Sequence, residues 1–140
     1  MEELKKFLKD TVNITETMNS NHVFVVIKPG FERLLGEICQ LFKDKGYKII
    51  KMKTKCLLLS EAKDMYKMHR DEEFYKPLCE YMSSGLTTAF ILKKQSKNIF
   101  KEFAKLKDEI REKYGESDMR NVIHSSDSYK NFKHESSIYF

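Results

Sequence analysis

The chain has 140 residues, 34% of them charged and 41% hydrophobic, and a formal net charge of +5. That composition fits one globular domain with a real core, leaves little room for two, and excludes an intrinsically disordered chain. No apolar run approaches the ~20 residues that cross a bilayer, and the start lacks the basic-then-apolar pattern of a signal peptide. Cys39, Cys56 and Cys79 form no CxxC pair, so we expect a reduced, cytoplasmic protein with neither a disulfide framework nor a zinc site. The positive balance suits an anionic partner (nucleic acid, a membrane surface or a small phosphate compound) or a lysine-rich solvated surface.

Residues 1–21 read as an N-terminal extension: a short helix over Glu2–Asp10 with Leu4, Phe7 and Leu8, then a polar loop to Asn21. The domain proper is expected over 22–140. Val23–Ile27 is a β-branched apolar run, as in a central strand buried on both faces, and Lys28-Pro29-Gly30 ends it. A helix follows with Phe31, Leu34, Leu35, Ile38, Cys39 and Phe42 on one side and Gly46 as its stop. Ile50, Met52, Thr54 and Cys56 alternate with Lys51, Lys53 and Lys55, which predicts a half-buried strand with a basic outer face. Ser60 opens a helix carrying Ala62, Met65, Tyr66 and His69. Asp71 caps another, carrying Phe74, Leu78, Tyr81 and Met82 and stopped by Gly85. Leu86–Leu92 is a third strand, and Ser96 starts a helix with Ile99, Phe100, Phe103 and Leu106 facing inward. Residues 107–120 read as polar and irregular. Val122-Ile123 is a short fourth strand ending at His124, and Ser128 caps a last helical turn or two. This order predicts an α+β, ferredoxin-like βαββαβ fold: a four-stranded antiparallel sheet with helices packed on one face.

The segment Asn121-Val122-Ile123-His124-Ser125-Ser126 is the most informative stretch for chemistry. Read alone, His124 is a strand-ending histidine satisfied by backbone. Its setting argues for more: a rigid strand delivers it, Ser-Ser-Asp-Ser follows with hydroxyls and a helix start, and Glu135 is able to fold back toward the ring. A neutral imidazole is a competent nucleophile near neutral pH, and a carboxylate would orient it and stabilise developing positive charge. Lys28, at the end of a buried strand, aims an ammonium at the sheet's edge. Arg111 and Arg120, in the polar segment before Asn121, have the planar fork that grips phosphate. Lys28-Pro29-Gly30 lacks the glycine-rich run of a P-loop, so a Walker-type site is not expected.

Taken together these pieces resemble the nucleoside diphosphate kinase family, over about Val23 to Phe140. The resemblance rests on Val26-Ile27-Lys28-Pro29, Tyr66 followed by Phe74, Tyr81-Met82-Ser83-Ser84-Gly85, Arg111, Arg120-Asn121, His124-Ser125-Ser126-Asp127-Ser128, Glu135 and Ile138-Tyr139-Phe140. It implies a ping-pong transfer in which His124 takes the γ-phosphoryl group of a nucleoside triphosphate and passes it to a nucleoside diphosphate. It also implies roles: Glu135 with Ser126 orienting the ring, Lys28 and Tyr66 holding the phosphoryl group, Lys28 and Asn121 meeting the ribose, Arg111 binding phosphate, and Phe74 stacking on the base beside Leu78. Magnesium would be held mainly by the nucleotide phosphates. A homo-oligomer built from dimers, up to a hexamer, is implied as well.

Several positions depart from the family pattern. Gly30 stands where the family has Asp, and the turn is shorter. The segment between Gly85 and Arg111 is also shorter and lacks a phosphate-binding arginine and threonine, with Lys101 or Lys105 as replacements for the arginine. Asp118 or Met119 stands where an aliphatic residue faces the base. The alternative reading is therefore a weak or inactive relative that binds nucleotides or a protein partner. A nucleic-acid module on the Lys51/Lys53/Lys55 face is disfavoured, because that strand offers no aromatic ring for stacking, and no membrane partner is expected.

Overall fold

The apolar run Val23–Ile27 folds as strand β1 (His22–Ile27) in a computed structural model that describes residues 21–140. The expected helix over Glu2–Asp10, and all but the last residue of the loop after it, lie outside the described residues. β1 sits in the middle of a four-stranded sheet of order β2-β3-β1-β4, with β2 (Lys48–Lys55), β3 (Thr87–Lys93) and β4 (Ile123–Ser125). Every pairing is antiparallel. This is the ferredoxin-like α+β architecture expected from the order of elements.

The helices cover both faces of the sheet, where the sequence suggested one. Phe24 and Val26 point one way, and Val23, Val25 and Ile27 the other, because side chains alternate along a strand. The second set packs against α1 (Leu35–Asp44) and α4 (Ile99–Tyr114) through Ile38, Phe42, Ile99, Phe103, Leu106 and Ile110. The first set packs against α2 (Leu59–Met65), α3 (Tyr75–Met82) and α5 (Tyr129–Tyr139) through Ala62, Met65, Cys79, Met82, Phe132 and Tyr139. Two cores therefore share β1 and β3, which is why β1 carries apolar residues on both sides.

Helix ends follow local chemistry. Gly46 stops α1 at φ +88°, with Tyr47 N–H bonded to the Phe42 carbonyl and Gly46 N–H to the Lys43 carbonyl, the paired bonds of a Schellman stop. Pro77 lies in the first turn of α3, where its missing N–H does no harm. Asn98, rather than Ser96, caps α4 by accepting from Lys101 N–H at 3.2 Å. Asp71 lies in the turn before α3 and gives it no side-chain cap.

Three expected spans change. Residues 107–114 are helical, not irregular, because Ile110 continues the stripe of Phe103 and Leu106 and keeps α4 docked. The last helix is eleven residues long, capped by Ser128 Oγ accepting from Asn131 N–H. Strand β2 is not half-buried through Ile50 and Met52: these are 41% and 51% exposed. β2 is an edge strand, and its pairing with β3 breaks register between Ile49 and Lys51.

Candidate active site

His124 pairs directly with Val26, so its side chain leaves the sheet on the face shared with α2, α3 and α5. There Glu135, on α5 and only 3% exposed, places Oε1 2.7 Å from His124 Nε2. A carboxylate oxygen in that place is an acceptor for Nε2–H, the tautomer that leaves the lone pair of Nδ1 available. The Tyr66 ring stands edge-on to the imidazole, with centroids 5.5 Å apart. The strand arrives through a strained turn. Val122 has φ +80°, rare for a β-branched residue, and Ile123 N–H bonds back to the Asn121 carbonyl at 3.0 Å, forming a γ-turn. Such a conformation costs on the order of 1–3 kcal/mol and persists only where surroundings enforce it. Here Val122 is fully buried, and its carbonyl accepts from Lys28 N–H at 2.8 Å.

His124 opens onto a cleft of about 520 Å³ lined by Lys28, Tyr66, His69, Phe74, Leu78, Arg111, Asp118, Met119, Asn121 and His124. Lys28 is 5% exposed and donates from Nζ to the Met119 carbonyl at 3.3 Å. Burial, with Arg111 and Lys107 adding repulsion, lowers its pKa to about 7. Arg111 projects from the last part of α4 and donates from Nε and Nη2 to the Ile123 carbonyl, at 3.1 and 2.8 Å. That bond aligns the guanidinium with the strand bearing His124. Burial, with the charge of Glu135 nearby, drives the Tyr66 hydroxyl well above the usual tyrosine range, so it stays a donor. At the other end of the cleft the Phe74 ring is 45% exposed beside His69, with buried Leu78 next along α3.

Buried polar atoms without partners mark where a ligand's groups fit. Among the described residues these are Tyr66 Oη, Asn121 Oδ1, Glu135 Oε2 and Ser136 Oγ. Tyr66 and Asn121 line the cleft, and Glu135 backs its histidine. Leaving such groups unpaired costs about 1–3 kcal/mol each, which a ligand in the cleft with matching groups would recover at Tyr66 and Asn121.

The structure brings together Lys28, Tyr66, Phe74, Leu78, Arg111, Asn121, His124 and Glu135. It does not bring Ser126 to the ring. The Ser126 hydroxyl accepts from Phe24 N–H at 3.0 Å and faces the Phe24 carbonyl at 3.4 Å, so it fastens the end of β4 to β1. Arg120 does not enter the cleft either: its guanidinium lies over the rings of Phe31 and Tyr81. Lys101 and Lys105 are exposed and absent from the cleft wall. The additional cation is Lys107, half-buried one turn before Arg111 on the same face of α4 and within the electrostatic reach of Lys28, Arg111, Asp127 and Glu135. Reading the stretch as irregular hid it; extending the apolar stripe to Ile110 would have placed Lys107 and Arg111 side by side.

A ferredoxin-like domain that sets a histidine against a buried carboxylate, at the wall of a cleft rich in cations, defines a class of phosphotransfer protein. The family model for nucleoside diphosphate kinase matches residues 21–140. Curated nucleoside diphosphate kinases of Fervidobacterium nodosum and Kosmotoga olearia are 36% and 32% identical, each covering 84% of this chain and 86% of the relative. The solved nucleoside diphosphate kinase of Aquifex aeolicus superposes with a TM-score of 0.79 at 26% identity, over 86% of this chain and 94% of that one. The chain belongs to the nucleoside diphosphate kinase family, and that membership supports nucleotide phosphotransfer as its class of activity.

Proposed function

We propose that this protein transfers the γ-phosphoryl group of a nucleoside triphosphate to a nucleoside diphosphate by a ping-pong route through phosphohistidine at His124. The observation that carries this reading is the 2.7 Å contact between His124 Nε2 and Glu135 Oε1 at the cleft wall. In the first half-reaction the Nδ1 lone pair attacks the γ-phosphorus. A P–N bond forms, the bridging P–O bond to the β-phosphate breaks, and the diphosphate leaves with that electron pair. The ring's growing positive charge is met by Glu135. The second half-reaction is the reverse, onto a different diphosphate. Lys28, Arg111 and Lys107 offset charge on the phosphate oxygens, and Tyr66 donates to the transferring group.

Asn121 Oδ1 would accept from a ribose hydroxyl, and Lys28 has the reach to meet the ribose as well as phosphate. Phe74 offers an open ring face to a base, a contact that tolerates any base because it reads a π surface. The cleft wall holds one carboxylate, Asp118, among two cations, Lys28 and Arg111, and two histidines, His69 and His124. That donor set fits magnesium carried in on the nucleotide rather than caged by the protein, supplying charge neutralisation to the phosphates. A homodimer is the natural assembly, because the unpaired outer edge of β2 exposes Ile50 and Met52.

The decisive experiment is incubation with γ-labelled ATP followed by gel analysis. Acid-labile, base-stable labelling is expected, and His124→Ala should abolish it. Labelling of the variant equal to wild type would overturn the assignment. Nucleotide binding without any labelling would instead identify a nucleotide-binding module.

A further inference from the structure

The loop after α4, residues 115–121, supplies Asp118, Met119 and Asn121 to the cleft, yet much of its bonding is internal. Glu116 N–H and Ser117 N–H reach the Arg120 carbonyl, Arg120 N–H donates to Ser117 Oγ, and Asn121 Nδ2 donates to the Asp118 carbonyl. The Met119 side chain packs against the core beneath it, and two cationic side chains add ties to the body of the fold. One is Lys28, through the Met119 carbonyl. The other is Arg120, whose Cζ lies 5.7 Å from the Phe31 ring centroid and 5.3 Å from that of Tyr81, with Glu116 3.6 Å from its Nε. Phe31 follows β1 and Tyr81 ends α3, so this guanidinium joins three separate parts of the fold. Tyr81 is itself fastened, its hydroxyl donating to the Pro29 carbonyl. Gly30 makes the space: a Cβ there would lie 2.7 Å from Arg120 Nη2, and its φ of +93° suits glycine.

We propose that Arg120 is a positioning residue, a clamp seated over Gly30 and between Phe31 and Tyr81 that holds the cleft's closing loop ready for nucleotide. The proposal rests on the reading of this cleft as the nucleotide slot. Its logic comes from the other tie. When Lys28 turns its ammonium to a phosphate, the Met119 carbonyl loses that partner, and Arg120 is then the cationic tie that remains beside the packing of Met119. A loop kept in place before binding spares the ligand the work of ordering it.

The test is calorimetric titration of ADP into wild type, Arg120→Ala, Arg120→Lys, Tyr81→Leu and the double variant Arg120→Ala/Tyr81→Leu, with ATP kinetics alongside. Arg120→Ala should weaken ADP binding by about 5- to 30-fold, the worth of one or two cation–π contacts. KM should rise in step while kcat at saturation holds within about twofold, since the reacting groups are untouched. Labelling of His124 by phosphoramidate, a phosphoryl donor without a nucleoside, should be unchanged. Arg120→Lys, which keeps a cation over the rings, should fall between wild type and Arg120→Ala. The double variant should be no weaker than the weaker single variant, because both remove one clamp.

The Arg120 side chain is 44% exposed, so its variant is expected to fold, which a melting curve checks; should it not fold, Tyr81→Leu carries the affinity test. Unchanged ADP affinity in Arg120→Ala, effects that multiply in the double variant, or a fall in kcat at constant KM would each overturn the clamp. Normal ADP binding by a wild-type chain that forms no phosphohistidine from ATP would defeat the kinase reading and leave the clamp standing.

Discussion

Lys28 shows how one side chain sets function against stability. Its folded pKa lies near 7 against an ordinary 10.5, chiefly because burial disfavours the charged form. Below pH 7 it is charged in both folded and unfolded states, and the folded state bears the full desolvation penalty. Between pH 7 and 10.5 the unfolded chain holds the proton and the folded chain does not, so this group's contribution to stability rises with pH. Lys28→Met should therefore raise the melting temperature most at pH 6, with the gain fading above pH 7, while weakening ADP binding ~10-fold or more. Phosphate restores the charge, so wild-type ADP affinity should fall as pH rises through 7, with proton uptake visible in calorimetry across buffers of different ionisation enthalpy. Lys107→Met should raise KM by ~10-fold, the worth of one charge-assisted hydrogen bond; an unchanged KM in a kinetic assay would remove Lys107 from the phosphate site.

At the scale of elements, legibility in the sequence tracked how many constraints acted on each segment. β1 was readable because both faces are buried, so every position from Val23 to Ile27 is apolar. α1 was readable because its stripe and its stop agree. Gly46→Ala tests that stop: the nearest neighbour of the added Cβ is the flexible Lys94 side chain at 3.4 Å, leaving mainly the backbone penalty of about 1–2 kcal/mol, measurable as a shifted denaturation midpoint. The end of α4 was hidden because Lys107, Asp108, Glu109, Arg111, Glu112 and Lys113 look like a solvated loop when Ile110 is overlooked. That helix aims Arg111, so Ile110→Ala should cost about 2–5 kcal/mol in chemical denaturation and weaken nucleotide binding as well. The γ-turn at Val122 carried no sequence signal, since valine is among the residues least suited to positive φ; burial and the bond from Lys28 impose it. The attachment of Ser126 to β1 was equally silent, because a serine hydroxyl serves any nearby backbone group.

For the whole molecule, the exposed β2 edge is the feature an isolated chain handles worst. Ile50 and Met52 lie open on an edge strand paired on one side only, and Lys51 and Lys55 lean over the C-terminal rings of Phe140 and Tyr139. On the proposal of a homodimer through this edge, Met52→Lys should shift the mass toward monomer in light scattering while leaving the far-ultraviolet circular dichroism unchanged. Retention of the wild-type mass would exclude this edge as the contact. The two cores have a further consequence. Lys107 and Arg111 belong to the helix docked on one, while His124, Glu135, Tyr66 and Leu78 belong to the other. Neither core alone assembles a competent site. In a refolding experiment, phosphotransfer can return no earlier than the slower of the two, so the lag between recovered tyrosine fluorescence and recovered turnover becomes a clock for the second layer settling onto the sheet.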